Sequence, residues 1–326
     1  MVDPRSGGQV LVAGSANADM VVRAARIPAP GETVLGGDLT VNPGGKGANQ
    51  AVAAARAGGA RTAMLLALGQ DPAADLLQRS LTEAGVTLHV VRSTRPTGAA
   101  LITVSDTAEN AITVAPGANA TLAREHLPEL AKVEWLVMQL ETPIETVTAY
   151  AQAAQAAGVG VMLNVAPARA VPDALLAATD VLVANEEELA IIAGSELSIV
   201  DRLASLDVPI AIVTLGARGC CAWHSAGMIV QPAFRVEAVD TTAAGDTFCG
   251  ALVAAFARGD ALPLALRTAS AAAALATTRP GAQVSIPTRA EVDALLATDG
   301  DSAGDVAELA RFCGLPIAWI EQTGER

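Results

Sequence analysis

The sequence predicts an α/β fold: a doubly wound, mostly parallel sheet with helices on both faces and a small accessory β-element. Three observations carry this. Short continuous apolar runs such as TAMLLAL, WLVMQL and IAIV recur along the chain, as expected of parallel strands buried on both faces. Helix-like segments alternate with those runs over most of the length. Conspicuous polar residues fall where the runs end and the helices begin, which is the end of an open α/β sheet where ligands bind.

Taken in order, QVLVAGSANADMVV reads as a strand, a turn over Gly14–Asp19 and more strand. IPAPGETVLGGDLTVNPGG alternates like a strand but is broken by Pro and Gly, which suits a small accessory sheet. GGKGANQAVAAARAGG opens on glycines and continues as an alanine-rich helix that stops at Gly58 and Gly59. TAMLLALG is a strand, PAADLLQRSLTEAG a helix, and TLHVVRST a strand. GAALITVSD and NAITVAPGAN form a hairpin. EHLPELAKV is expected as a helix before the strand WLVMQL. IETVTAYAQAAQAAG and GVGVMLNVAP repeat the helix–strand unit. DALLAAT, VLVANEEELAIIAG, DRLASLD and PIAIVTLGARG continue it. Four helical stretches close the chain: AAGDTFCGALVAAFARG, LPLALRTASAAAALAT, RAEVDALLAT and DVAELARFCG. TDGDSAG, at 298–304, is the one break in composition and marks a joint before a short appendage.

Composition narrows the function classes. The chain has 326 residues, is 52% hydrophobic and 17% charged, and so can build a large packed core. Aromatic residues are only 2%, so helices are expected to pack closely through alanine faces. A net charge of −13 excludes a general basic footprint for nucleic acid. Four cysteines without CxxC spacing read as reduced, buried thiols. The leading residues MVDPRSGGQ lack a secretion profile, and no apolar run is long enough to span a membrane, so a cytoplasmic protein is expected. His89, His126 and His224 fall in poorly structured contexts and receive no role.

Two familiar glycine motifs are excluded. In a Walker A loop Ser or Thr follows the lysine, but Lys46 is followed by Gly47; GKGANQ also lacks the third glycine of a dinucleotide fingerprint. GGKGAN is then either a plain helix start or a surface where backbone approaches a ligand, with Lys46 and Asn49 as donors. In DTTAAGD, the small residues before a helix leave amide N–H groups to form an anion hole for a transferring phosphoryl group. Asp246 is then either a helix cap or a base that takes the proton of an attacking hydroxyl. Asn185 and Glu188 of NEEEL share one helical face. They suit either a charged helix start or water-mediated Mg²⁺ binding.

The motifs GGKGANQAVAAARAGG and DTTAAGDTFCGAL resemble the two signatures of the ribokinase-like (PfkB) carbohydrate kinases. GSANAD, PGET, MQLETP, LNVAPAR, NEEE, TLGARG and TRPGAQVSIP follow in the expected order. The similarity covers about residues 8–297. It implies a three-layer sandwich with a small β-lid, built from about 20–43 and 97–116, and ATP-dependent phosphorylation of the 5-hydroxyl of D-ribose. Another sugar or a nucleoside is the alternative acceptor. By matching position, Asn17, Asp19, Gly45, Lys46, Asn49 and Glu141 hold sugar hydroxyls. Asp246 is the catalytic base, with Ala243, Ala244 and Gly245 as the anion hole. Asn185 and Glu188 serve the Mg²⁺-phosphate region, Thr214, Gly216 and Gly219 the nucleotide, and Ser270 the base. A K⁺ site is implied at Asp240, Thr242, Ala276, Arg279, Gly281 and Ser285, and a homodimer through the lids. There are two departures. SELSIVDRLASLDVP is shorter than the family's usual helix. The tail 298–326 has no counterpart and is left open between an added helix, an arm to a second subunit and a mobile end.

Overall fold

The computed structural model describes residues 8–107, 109–298 and 305–315. Its strands are β1 (Gln9–Ala13), β2 (Asn17–Ala24), β3 (Thr40–Gly44), β4 (Thr62–Leu68), β5 (Thr87–Arg92), β6 (Gly98–Ser105), β7 (Asn110–Ala115), β8 (Val133–Met138), β9 (Gly160–Asn164), β10 (Val181–Asn185), β11 (Ile210–Thr214), β12 (Gly219–His224) and β13 (Gly227–Pro232). Its helices are α1 (Lys46–Arg56), α2 (Pro72–Glu83), α3 (Ile144–Ala156), α4 (Asp173–Leu176), α5 (Glu186–Ala193), α6 (Ile199–Ser205), α7 (Ala244–Ala257), α8 (Leu262–Thr277), α9 (Arg289–Ala297) and α10 (Val306–Cys313). The main sheet runs β13-β12-β11-β10-β9-β8-β1-β4-β5. From β11 to β5 every neighbouring pair is parallel, and β12 and β13 add an antiparallel edge.

The two faces of this sheet bury separate cores, as the continuous apolar runs require. In β1, Val10 and Val12 join one core with residues of α1, α2, α7, α8 and α9. Leu11 and Ala13 join the other with α3, α5, α6 and α10. The period-two alternation is therefore between two buried faces rather than between core and water. Helices cover both faces, so the architecture is the expected three-layer α/β sandwich.

The second sheet, β3-β2-β6-β7, is the expected small one. Strand β2 pairs parallel to β6 and antiparallel to β3, and β6–β7 is the predicted hairpin. One expectation shifts. The turn read over Gly14–Asp19 is shorter: β2 begins at Asn17, so Asn17 and Asp19 lie within a lid strand.

Two further expectations are corrected. EHLPELAKV is not an α-helix; a single 3-10 turn covers Arg124–His126. Pro128, without an N–H, cannot sit inside a helix that starts at Glu125. The hairpin β12–β13 was not foreseen, and its strands place His224 in regular structure, as β5 does for His89. All four cysteines are free and buried, as expected. Among the described residues no helix is long and apolar enough to cross a membrane.

Candidate active site

The site begins with how closely two helices approach. Helix α7 packs on α1 with Gly250 against Ala53, where an added Cβ at 250 would stand 2.5 Å from the Ala53 Cβ and 2.6 Å from the Gln50 carbonyl oxygen. Small residues thus let the two backbones meet, as the alanine-rich composition suggested. This contact brings the N-terminal turn of α1 beside that of α7. Asn49 Nδ2 donates to Asp246 Oδ2 at 3.0 Å, and Gln50 Nε2 donates to Asp246 Oδ1 at 2.9 Å. Gln139 Nε2 in turn donates to Gln50 Oε1 at 2.6 Å and fixes that amide's orientation. Asp246 is 7% exposed. It does not cap α7, whose N-cap is Ala243 without any side-chain cap bond. Of the two readings of Asp246 from sequence, the cap is removed. What remains is an oriented carboxylate at the mouth of a cavity.

The glycine loop holds its shape through close backbone approach. Gly45 has φ 91°, and an added Cβ would lie 2.7 Å from the Asn17 amide nitrogen. Glu141, just beyond β8, accepts from Ser15 Oγ at 2.5 Å and from the Lys46 N–H at 3.3 Å. Ser15 Oγ accepts from the Gly47 N–H at 3.2 Å, so one chain of bonds ties β1, the loop and the end of β8. Asn17 Oδ1 accepts from Asn119 Nδ2 at 2.7 Å, and Asn119 Oδ1 accepts from the Ala16 N–H at 3.1 Å. Asn17, Asp19, Gly45, Lys46, Asn49 and Glu141 are thus gathered at one end of the small sheet.

Charge is concentrated here. The Asp19 carboxyl is pushed up to about 7, first by burial and then by Glu141 and Asp246, with Lys46 pulling the other way. Burial works against the Lys46 charge, but Asp246, Glu141 and Glu188 outweigh it and hold its value above the ordinary lysine range. The linkage for Asp19 has a definite sign. A carboxyl raised in the folded state favours folding while protonated, and that contribution is lost as pH climbs from its ordinary 3.8 through about 7. Asp19→Asn is therefore expected to gain on the wild type in urea midpoint as pH rises from 4.5 to 8. Parallel midpoint curves for the two proteins over that range would rule this out.

A cavity of about 230 Å³ is lined by Lys46, Asn164, Asn185, Glu188, Thr214, Thr241, Ala243, Gly245 and Asp246, among others. Ala243 adopts a left-handed φ of 59°, which turns the chain into α7. The Ala244 N–H bends back to the Thr241 carbonyl at 3.2 Å. The amides of Ala243, Gly245 and Asp246 have no hydrogen-bond acceptor among the described residues. The free donors thus differ from the expected trio by one: the Asp246 amide stands in for that of Ala244. Asn185 and Glu188 form a reciprocal capping box at the start of α5, with bonds of 2.8 and 2.7 Å. The helix-start reading of NEEEL is therefore correct. Both residues also face the cavity, and burial, ahead of Lys46's opposing pull, raises Glu188 above the ordinary glutamate range. Glu188 Oε1 and the second lone pair of Asn185 Oδ1 lie outside the box and can accept from water on a Mg²⁺ ion, while Asn185 Nδ2 can donate to a phosphate oxygen. Among the described residues no cluster of three or more His, Cys, Asp or Glu forms a metal cage.

An outer cavity of about 710 Å³ adjoins the inner one through Asn185 and Thr214 and includes Leu215, Gly216 and Arg202. Thr214 and Gly216 therefore line this outer cavity. Gly219 and Ser270 line neither cavity. Gly219, at φ 116°, is required where β12 meets β13, since a Cβ there would stand 2.1 Å from the Gln231 carbonyl oxygen. Ser270 is buried on α8 with its hydroxyl 3.8 Å from Cys220 Sγ. At the expected K⁺ site, Asp240 Oδ1 accepts from the Thr242 N–H at 2.9 Å and its hydroxyl at 2.6 Å, and Oδ2 accepts from the Gly281 N–H at 2.8 Å. Partial burial would raise this carboxyl, but those bonds outweigh it and hold it below the ordinary range. Arg279 pairs with Glu291, and Ser285 Oγ donates to the Ala282 carbonyl at 2.8 Å. Ala276 and Ser285 are fully buried at this end of α8 and the loop after it. The structure thus links Asp240, Thr242 and Gly281 directly. One lone-pair position of the Asp240 carboxylate is left over from these bonds.

Sequence reasoning passed over Ser15, Gln50, Asn119 and Gln139. Each lies inside or beside a motif already singled out: GSANAD, GANQ, APGAN and MQLE.

An oriented carboxylate at a helix mouth, free amides beside it and a polar cluster at the end of the small sheet suit a phosphotransferase. Residues 8–289 match the pfkB family carbohydrate kinase domain, and the chain belongs to that family. It is 40% identical over 295 residues to a ribokinase from Haemophilus influenzae, covering 86% of this chain and 95% of that one. It is 33% identical to a deoxyribokinase from Salmonella typhi, covering 85% of this chain and 95% of the relative. Its fold superposes on Arabidopsis thaliana ribokinase complexed with ribose and ATP with a TM-score of 0.81 at 32% identity, covering 89% and 99% of the two chains.

Proposed function

We propose that this kinase transfers the γ-phosphoryl group of ATP to the 5-hydroxyl of D-ribose, giving D-ribose 5-phosphate and ADP. The observation that carries the reading is the placement of Asp246: two α1 amides orient its carboxylate, and unpaired backbone amides stand beside it in one cavity. The 5-hydroxyl gives its proton to that carboxylate while its oxygen bonds to the γ-phosphorus. The bond to the β–γ bridging oxygen breaks, and its electron pair leaves with ADP. Such a transfer depends on positioning and on stabilising charge, and the amides of Ala243, Gly245 and Asp246 supply donors for that charge. Mg²⁺, held through water by Asn185 and Glu188, would neutralise phosphate charge. K⁺ at Asp240 and the carbonyls near Ala276, Arg279, Gly281 and Ser285 would order the Thr241–Gly245 turn.

Asn49 favours a hydroxyl-rich acceptor. Its Oδ1 is buried without a partner, while its Nδ2 holds Asp246, so it is free to accept from a substrate hydroxyl beside the base. Asn17, Asp19, Lys46 and Glu141 provide further groups for such hydroxyls. The likeness to a deoxyribokinase favours 2-deoxyribose as the second reading. A site built to bond a hydroxyl rejects the analogue lacking it. In a coupled ADP-release assay, kcat/KM for ribose is expected to exceed that for 2-deoxyribose, fructose and adenosine by about tenfold or more. K⁺ is expected to stimulate the wild type and not Asp240→Ala. Equal turnover of 2-deoxyribose overturns the sugar assignment and leaves the kinase reading standing. The lid also exposes Leu35, Leu39, Leu101, Ile112 and Val114, which supports pairing of two lids in a homodimer.

A further inference from the structure

The extension beyond residue 298 lies outside the matched family region, which ends at 289. Yet its helix α10 is tied to the nucleotide side of the site. Leu309 and Cys313 are buried in the same core as Leu215 and Cys221. Gly314, which ends the helix, backs onto Ser198 at the start of α6, where an added Cβ would stand 2.6 Å from the Ser198 Cβ. The Phe312 ring lies under the Arg218 guanidinium, with Cζ 4.2 Å from the ring centroid.

Arg218 closes the turn from β11 to β12. That turn begins at Gly216, which lines the outer cavity with Thr214 and Leu215. It depends on two left-handed glycines, Gly216 at φ 58° and Gly219 at φ 116°. Its backbone bonds are the Leu215 N–H to the Gly219 carbonyl at 2.8 Å, the Arg218 N–H to the Leu215 carbonyl at 3.2 Å, the Gly219 N–H to the Gly216 carbonyl, and the Ala233 N–H to the Arg218 carbonyl at 3.3 Å; none of them holds the Arg218 side chain. A glycine-rich turn of this kind has many alternative conformations to lose when ligand binds. An external clamp on its one large side chain removes part of that loss beforehand.

We propose that α10 is a positioning element for the nucleotide. By stacking Phe312 on Arg218 it preorganises the Gly216–Gly219 turn, and so sets the affinity for ATP without touching the sugar. This rests on the ATP-dependent reading above.

The test is calorimetric titration of the full chain with MgATP alone and with D-ribose alone. Phe312→Ala is expected to raise the Kd for MgATP about two- to fivefold, the range an exposed cation–π pair supplies, with the ribose Kd unchanged. Phe312→Tyr, which keeps the ring, is expected to bind MgATP like the wild type. Deletion of 299–326 is expected to weaken MgATP further. Should the deletion fail to fold, the point variants still decide. An unchanged MgATP Kd in Phe312→Ala overturns the proposal, as does equal weakening of ribose, or a tyrosine variant as weak as the alanine one. A wild type that binds no MgATP overturns the kinase reading itself, and this proposal with it.

Discussion

Asp246→Asn is expected to lower kcat by about 10²–10⁴-fold, the range lost with a general base, while both substrates still bind, the sugar more weakly because Asn49 Oδ1 turns to the new amide. The substitution is nearly silent for the fold. The new amide needs an acceptor where the carboxylate had a donor, and Asn49 can turn its unpartnered Oδ1 toward it. Gln50 can continue to donate to the remaining oxygen. Stability should therefore stay within about 1 kcal/mol of the wild type, as judged by urea denaturation. A drop in kcat of less than tenfold, with the protein folded and saturated, removes Asp246 from the base role.

Gly250→Ala probes the scaffold that holds that base. Its Cβ would meet the Ala53 Cβ at 2.5 Å, the Gln50 carbonyl oxygen at 2.6 Å and the Ala54 nitrogen at 2.7 Å. Two of the three are backbone atoms, so the helices themselves must separate. Overpacking of this kind costs about 1–3 kcal/mol, offset by up to about 1 kcal/mol from alanine's better helix propensity. The larger effect should fall on activity. Separating the helices draws Asn49 and Gln50 away from Asp246, and a misplacement near 1 Å lowers rates by about 100-fold. A variant with wild-type kcat and a lowered urea midpoint would show that the helix contact serves stability alone.

The parts of this structure legible in the sequence are those set by local pattern. Strands such as β4 and the Val181–Ala184 part of β10 declare themselves because both faces are buried and every residue of the run is apolar or small. The β12–β13 hairpin does not. It forms the edge of the sheet, β12 is fully buried only over Cys220–Ala222 and β13 is half-buried along most of its length, and GCCAWHSAGMIVQP mixes Cys, His and Gln with its apolar positions. At 125–133 Leu127 and Leu130 stand at helical spacing, but Pro128 between them denies the backbone a helix and leaves a single 3-10 turn. The site divides the same way. Lys46, Asp246 and the small residues before it stand out because glycine-rich helix starts have a direct chemical use. The cage around Asp246 could not be seen, because Asn49, Gln50 and Gln139 meet it only after distant segments of chain are folded together. Gly219 and Ser270 show the converse: a matching motif position marked them as ligand residues, and the structure gives each a packing environment.

The contact of Ala53 with Gly250 also constrains how this enzyme and its relatives can diverge. Any side chain at 250 meets α1 backbone as well as the Ala53 methyl, so shrinking position 53 relieves only one of its three contacts and the helices must still part, which disturbs the base. Glycine at 250 should therefore persist in relatives that keep the activity, whatever residue stands at 53. An engineer seeking a stabler variant by replacing helical glycines would find position 250 closed, with or without Ala53→Gly.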